Sequence, residues 1–467
     1  MNPIRRAIAL TCGCRNLALA AIIIGLPAIL PQRLGAADAD ALAEYVGATD
    51  DSFAWQQVDQ RQVDGLTTVR LQCTSQTWRG FAWRHKLLVV RPAEIRHPDL
   101  AFFFVTGDGD VEKQFDMLRT LALRGGALAA VINQVPNQPL FDGRKEDALI
   151  AYTFDQYLKT GDRSWPLLFP MVKSAVRGMD AVQAFAGKEF GLKLERFVVS
   201  GASKRGWTTW LSAAVDPRVK AIAPIVIDML NMKTQTQWAQ KMYGRQSEQI
   251  RDYTDFNLID RMDEPRMVEL RLWVDPYNYR ARYTLPKLLL LGTNDPYWVV
   301  DSLRHYWNAL PEPKLVYQTP NAGHDLAGGH EATQTLAAFF QMIADHESLP
   351  RMTWQFQTNS AKTAAIAVQV DPPAKSFRLW TADSSERDFR DKTWSSVALP
   401  SNPGKRVQAS VQTPAQGFRA YLVEAELISS TGHKFLLSTE ARVTPDGPPE
   451  EAQNKGKSPA QGGPVSR

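Results

Sequence analysis

The sequence predicts an α/β protein: a doubly wound, mostly parallel sheet with a helical insertion, followed by a small C-terminal β-sandwich. Three observations lead there. Between about residues 38 and 350, near-continuous apolar runs such as LAFFFVTG, ALAAVINQVP and LPKLLLLGTND alternate with amphipathic stretches. That is the pattern of parallel strands covered on both faces. Between about residues 228 and 285 strand periodicity disappears into a stretch rich in Trp, Tyr and Met. After Pro350, segments such as TAAIAVQVD and SFRLWTAD alternate apolar with polar residues between Pro, Gly, Asn, Asp and Ser, as in a sandwich.

The elements follow in order. TTVRLQCTSQTW and WRHKLLVVRP read as an opening antiparallel pair, and LAFFFV as a buried strand ending in the loop TGDGD. VEKQFDMLRTLALRGG is an amphipathic helix stopped by glycines, and ALAAVINQVP is the next buried strand. FPMVKSAVRGMDAVQAFAGKEFG is a helix, ERFVVSG a strand, WTTWLSAAV a helix, and KAIAPIVI a strand. The insertion, 228–285, is placed to cap the C-terminal edge of the sheet. LPKLLLLGTND and PKLVYQTPNAGH complete the first domain, 38–350. The sandwich occupies 351–445, and 446–467, rich in Pro, Gly, Gln and Lys, reads as a disordered tail.

Bulk properties narrow the class. The 467 residues are 44% hydrophobic and 22% charged, with a formal charge of only +5. No Lys/Arg block or recognition motif marks a nucleic-acid surface, so no nucleic-acid partner is expected. Arg5, Arg6 and Arg15 precede LALAAIIIGLPAIL, and Gly35-Ala36-Ala37 offers small residues for cleavage. The run is short for a membrane span and is broken by Pro27. Residues 1–37 therefore read as an export signal to the periplasm or the medium, with no stable membrane insertion after cleavage; a retained anchor is the alternative. Cys12 and Cys14 fall inside that signal, which leaves Cys73 alone in a strand-like stretch, with no internal disulfide.

The chemistry gathers at FVVSGASKRGWTTW, a strand running through Gly-Ala-Ser into a helix. A serine there is lifted above the sheet edge, and the helix start offers the Lys204 backbone N–H to an oxyanion. Gly201 supplies the small residue before Ser203; Arg205 occupies the position usually held by a second glycine, and Gly206 follows it. Serine needs a base and an orienting acid, and in this order of elements both follow it. His324, in NAGH beyond the strand KLVYQT, is the candidate base, and His330 is less well placed. Asp295, ending LLLLGTND, is the candidate acid, with Asp228 after IAPIVI as the alternative. Taken singly, a Ser before a helix is an ordinary N-cap and an Asp before Pro an ordinary turn residue. A second oxyanion donor is expected from the loop after LAFFFV, with Gly107 and Asp108 as candidates. Asp108 and Asp110 lack metal-ligand spacing, so neither a metal nor a cofactor is expected.

SGASKRGWTTWLSAAVDPRVKAIAPIVIDMLNM, LLLLGTNDPYW and TPNAGHDL resemble the PhoPQ-activated pathogenicity-related proteins of the PqaA type over most of residues 45–440. The resemblance implies an α/β-hydrolase fold, export, and a Ser-Asp-His set falling on Ser203, Asp295 and His324. The fold is also similar to that of glucuronoyl esterases, in which a basic residue directly after the serine helps hold the oxyanion; Lys204 takes that place. The expected function is an exported serine hydrolase that cleaves an ester or peptide bond of a small-molecule or peptide substrate. A non-catalytic binding protein on the same scaffold is the alternative. Arg205, Trp238 and Trp273, together with Tyr243 and Tyr277, are candidates for the substrate pocket, though such aromatics equally serve to pack an insertion.

Overall fold

The computed structural model describes residues 40–360, 363–400 and 406–448. The export signal of the sequence reading lies outside the described residues, as does the tail from residue 449 on. Helix α1 (Ala41–Gly47) precedes three antiparallel strands, β1 (Ala54–Val63), β2 (Leu66–Trp78) and β3 (Phe81–Arg91). Then follow β4 (Leu100–Val105), α2 (Phe115–Gly125), β5 (Leu128–Ile132), α3 (Glu146–Thr160), α4 (Leu168–Phe190), β6 (Arg196–Ala202), α5 (Lys204–Val215) and β7 (Val219–Ile225). The insertion holds α6 (Met232–Tyr243), α7 (Arg251–Asp255) and α8 (Pro265–Val274). Strands β8 (Lys287–Gly292) and β9 (Lys314–Thr319) and helix α9 (His330–Ala344) complete this layer.

The strands form one nine-stranded sheet in the order β1-β2-β3-β5-β4-β6-β7-β8-β9, parallel from β5 onward. This is the α/β-hydrolase arrangement with one more strand at the edge. Alternation along each strand divides the apolar residues between two cores. Phe103, Val105, Val199 and Leu289 face α4, α5 and the insertion. Phe102, Phe104, Val198 and Leu288 face α2 and α9. The added strand β1, AWQQVDQRQV, has no buried position, and its polar composition hides it from a search for apolar runs. A charged, exposed strand also suits a sheet edge, where an apolar one would invite association.

The C-terminal region consists of β10 (Arg351–Ser360), β11 (Thr363–Asp371), β12 (Ser376–Ser384), β13 (Ser395–Ala398), β14 (Arg406–Gln412), β15 (Phe418–Ile428), β16 (Lys434–Ser438) and β17 (Arg442–Thr444). These make two antiparallel sheets, β10-β11-β14 and β13-β12-β15-β16, with β17 also on β15. Phe356 of the first meets Tyr421 of the second, ring centroids 6.0 Å apart. Ile366, Val368, Val423 and Ala425 join the core that holds Phe339 and Phe340 of α9, so this region shares its apolar interior with the nine-stranded layer. The Gln318 N–H of β9 donates to Ser438 Oγ at 2.8 Å, and the Ala441 N–H donates to Gln318 Oε1 at 3.0 Å. Among the described residues, no helix is long and apolar enough to cross a membrane.

One polar group in the core sets a pH dependence. His85 of β3 is buried; Nδ1 donates to Asn133 O at 2.8 Å, so Nε2 accepts from Ser75 Oγ at 2.9 Å. Burial pushes the imidazole down to about 4, against weaker upward pulls from backbone hydrogen bonds. An unfolded chain protonates the same group near pH 6.5, so its contribution is present above about 6.5 and is lost as pH falls toward 4. The stability difference between wild type and His85→Gln should therefore narrow by roughly 3 kcal/mol between pH 7 and 4. Urea unfolding midpoints across that range check it; a pH-independent difference would contradict it.

Candidate active site

Strand β6 ends at Ala202 and α5 begins at Lys204, which leaves Ser203 alone at the turn with φ 58° and ψ −124°. An L-residue holds this backbone only under constraint, at a cost of about 1–3 kcal/mol. The constraint is visible. The Ser203 N–H donates to Ile225 O at 2.8 Å, and Ser203 O accepts from the Trp207 N–H at 3.0 Å. Gly206 lies so close to β7 that a Cβ there would sit 2.7 Å from Ile227 Cγ2 and 3.0 Å from Ile225 O. The Ser203 side chain makes no capping hydrogen bond to the helix. The helix starts one residue after the serine, earlier than GWTTW suggests, and its first free N–H is that of Lys204.

His324 lies in the loop after β9, and Asp295 in the loop after β8. His324 Nδ1 is 2.8 Å from Asp295 Oδ2. The carboxylate can only accept, so Nδ1 carries the proton and Nε2 presents its lone pair. Nε2 is buried and has no hydrogen-bond partner among the described residues. Asp295 is 5% exposed, and its other oxygen accepts the Tyr297 N–H at 3.0 Å. One oxygen thus makes the Asx turn and the other orients the imidazole. The Tyr297 ring lies against His324, centroids 4.4 Å apart at 32°, and Tyr297 lines the same cavity as Ser203.

Asp228 does not occupy that role. It is buried beyond β7 beside Tyr306, and its Oδ1 lacks a hydrogen-bond partner among the described residues. Burial, reinforced by the negative charges of Asp295, Glu440 and Asp301, raises its carboxyl to about 8 against the opposing pull of the neighbouring Tyr306 hydroxyl. At neutral pH this group is largely a neutral acid, and His324 is paired to Asp295.

The two cations after Ser203 are both engaged. The Arg205 guanidinium forms a fork with Glu146, Nη1 to Oε2 and Nη2 to Oε1 each at 2.6 Å, and Nε donates to Val135 O at 2.5 Å. It lies across Gly107, where a Cβ would fall 2.1 Å from Nη2. Residue 107 is thus held small by residue 205, and Arg205 links the turn to the loop expected to supply the second oxyanion donor. Lys204 Nζ lies 2.7 Å from Asp147 Oδ2 and 3.4 Å from Glu146 Oε2. Burial alone would raise the Glu146 carboxyl, but Arg205, Gln138 and Lys204 override this and hold it at about 2. Asp108, the other expected donor residue, pairs its side chain with Lys145 at 3.2 Å.

Over residues 42–390 the chain matches the family described as PhoPQ-activated pathogenicity-related protein. It belongs to that family. A curated relative, autocrine proliferation repressor protein A of Dictyostelium discoideum, is 32% identical over 450 residues, 87% of this chain and 90% of that protein. Among solved structures, acetyl xylan esterase 1 from a Thermoanaerobacterium species is 17% identical and covers 66% of this chain and 92% of its own at a TM-score of 0.48. A glucuronoyl esterase from Solibacter usitatus is 13% identical, over 56% of this chain and 75% of its own, at a TM-score of 0.34.

In this family member the pocket beside Ser203 is not built from the residues first expected. Trp273 is fully buried against Tyr157 and Phe169, in the core. Trp238 donates to Asp301 Oδ1 at 2.9 Å and packs on His305, at the seam with the C-terminal sheets. Arg205 is turned inward to Glu146, away from the pocket wall. Aromatic content alone does not report which way a helix faces. Glu146 and Asp147, at the start of α3, and Tyr297 and Trp298 were missed by the sequence reading. The acidic pair opening a helix, and the Tyr-Trp two residues after Asp295, were the available signals.

Cutting the Arg205 clamp should be costly. Glu146→Ala leaves a guanidinium only 9% exposed without its partner, while Glu146 itself keeps 37% of its side-chain surface in water. The expected loss is about 2–3 kcal/mol in urea unfolding, below the 3–5 kcal/mol of a fully enclosed pair. A loss under 0.5 kcal/mol would show that the fork does not anchor the turn.

Proposed function

We propose that this protein is a serine hydrolase that cleaves an ester or amide bond through an acyl-enzyme. The observation that carries the reading is the His324 imidazole, bonded to Asp295 at Nδ1 and unpartnered at a buried Nε2. The orientation and the free lone pair are those of a general base, and Ser203 Oγ, which makes no hydrogen bond to Nε2 in this structure, is proposed to meet it when substrate binds. Ser203 Oγ forms a bond to the substrate carbonyl carbon as its proton passes to His324 Nε2. Asp295 stabilises the imidazolium so formed. The oxyanion is held by the Lys204 N–H at the start of α5 and by an N–H of Gly107 or Asp108. Collapse breaks the bond to the leaving oxygen or nitrogen, which receives the proton from Nε2. Water then repeats the sequence and releases the acid.

The Lys204 side chain is assigned no oxyanion role, because its ammonium is directed at Asp147. The enzyme acts outside the cytoplasm on this reading, which rests on the Arg-flanked apolar run near the N-terminus. Cell fractionation tests that part separately. The relative's name describes a repressor of proliferation, and a ligand-binding use of the scaffold without catalysis would also fit such a name.

A fluorophosphonate probe separates the two. The wild type should be labelled and Ser203→Ala should not; a folded wild type that resists the probe would favour the binding reading. On p-nitrophenyl butyrate, Asp295→Asn should lower kcat by roughly 10⁴-fold through loss of the productive tautomer. Asp228→Asn, which replaces a neutral acid with a neutral amide, should change kcat by less than about threefold. The reverse ranking would move the orienting acid to β7.

A further inference from the structure

Ser203 opens onto a cavity of about 80 Å³. Its aliphatic lining is Ile227 together with Met229, Met232, Ile250, Ile259 and Met262, the last five all from the insertion. Most of its polar side chains are already committed. Asp147 accepts from Lys204 Nζ at 2.7 Å and from the Tyr253 hydroxyl at 2.9 Å. Gln235 Nε2 donates to the carbonyls of Leu230 and Ser302, at 3.2 and 3.0 Å. Thr236 Oγ1 donates to Lys233 O at 3.0 Å, and the Trp207 indole N–H donates to Val274 O. The Trp298 indole N–H is buried without a partner among the described residues, enough for one acceptor atom and no match for a carboxylate. A charged group entering this space would lose its hydration and meet no free counter-ion. An apolar chain would gain about fourfold per buried methylene. We propose that the acyl group taken up by Ser203 is an uncharged apolar chain, seated in this cavity against the methionines of the insertion.

The inference rests on the serine-hydrolase reading, so its test is read only on protein whose Ser203 takes a fluorophosphonate label. For p-nitrophenyl esters, kcat/KM should rise about fourfold per methylene from acetate through butyrate and level once the cavity is full. The anionic hemisuccinate should fall at least tenfold below butyrate. Met232→Trp, which fills the cavity, should lower the hexanoate-to-acetate ratio of kcat/KM at least tenfold. If that variant does not fold, the wild-type series decides alone. A flat series, or preference for the hemisuccinate, in labelled protein overturns the cavity assignment and leaves the nucleophile intact. Failure to label overturns the parent reading.

A second observation stands independently. The loops bearing the acid and the base are tied to one segment of the C-terminal region. Asn294, beside Asp295, donates through Nδ2 to Lys392 O at 2.6 Å and to Phe389 O at 3.3 Å. Asn321 donates to Trp394 O at 2.9 Å and accepts the Trp394 N–H at 2.6 Å. The two loops also join each other, Asn294 N–H to Ala322 O at 2.9 Å and Asn321 N–H to Thr293 Oγ1 at 3.0 Å. Beneath them Arg387 and Asp301, both fully enclosed, pair at 2.9 Å. We infer that the C-terminal sheets are a working part of the site, with Asn294 and Asn321 as positioning residues that fix Asp295 and His324 through the 389–394 segment. Asn321→Ala and Asn294→Ala should lower kcat tenfold or more with KM within twofold. They should slow fluorophosphonate labelling equally when normalised to folded protein, which keeps the test valid for a variant of reduced stability. Labelling and kcat within twofold of wild type would reduce the contacts to packing.

Discussion

The site depends on one backbone constraint: Ser203 must sit at positive φ between a strand and a helix, a conformation that an L-residue does not hold unaided. Its surroundings are arranged to hold it. The serine's own N–H is bonded to β7, Gly206 gives α5 the clearance to press against that strand, and Arg205 fastens the first turn of the helix to Glu146 and Val135. The residue that seemed out of place in the turn, an arginine where a glycine is usual, is the residue that clamps it. Its guanidinium occupies the space a side chain at Gly107 would need, so the sequence of one loop is coupled to the chemistry of another.

This coupling explains why two cations can follow Ser203 at a helix N-terminus, where positive charge is unfavourable. Glu146 and Asp147, from the first turn of α3, neutralise both. With both cations paired, the Lys204 N–H at the start of α5 is the donor beside Ser203, and methionine and isoleucine make up the aliphatic part of the wall beyond. The cations belong to the architecture of the turn, and on the proposed reading recognition falls to the insertion and its methionines.

How much of this was legible in the sequence follows from what each element buries. Strands β4, β5 and β8 are buried throughout and almost wholly apolar because both faces are covered, so their ends, and the residues just beyond them, could be located directly. Asp295 beyond β8, and His324 beyond β9, were singled out as candidates in this way. Strand β1 escaped notice because it has no fully buried position, and α3 because its two key carboxylates carry no motif. The choice between Asp295 and Asp228 could not be made from order alone, since both follow buried strands; three-dimensional pairing with His324 separates them. Trp238 and Trp273 read as pocket residues from composition, yet one packs the interior and the other the seam to the C-terminal sheets, because an aromatic ring is equally suited to either.

Covalent catalysis at Ser203 is read out by acid-quenched mass spectrometry during turnover of p-nitrophenyl butyrate. A butyryl increment is expected on the peptide that carries Ser203, formed before steady state, absent from Ser203→Ala and accumulating in His324→Ala only at a strongly reduced rate. Steady turnover with no acylated peptide, or with the acyl group on another residue, would contradict it.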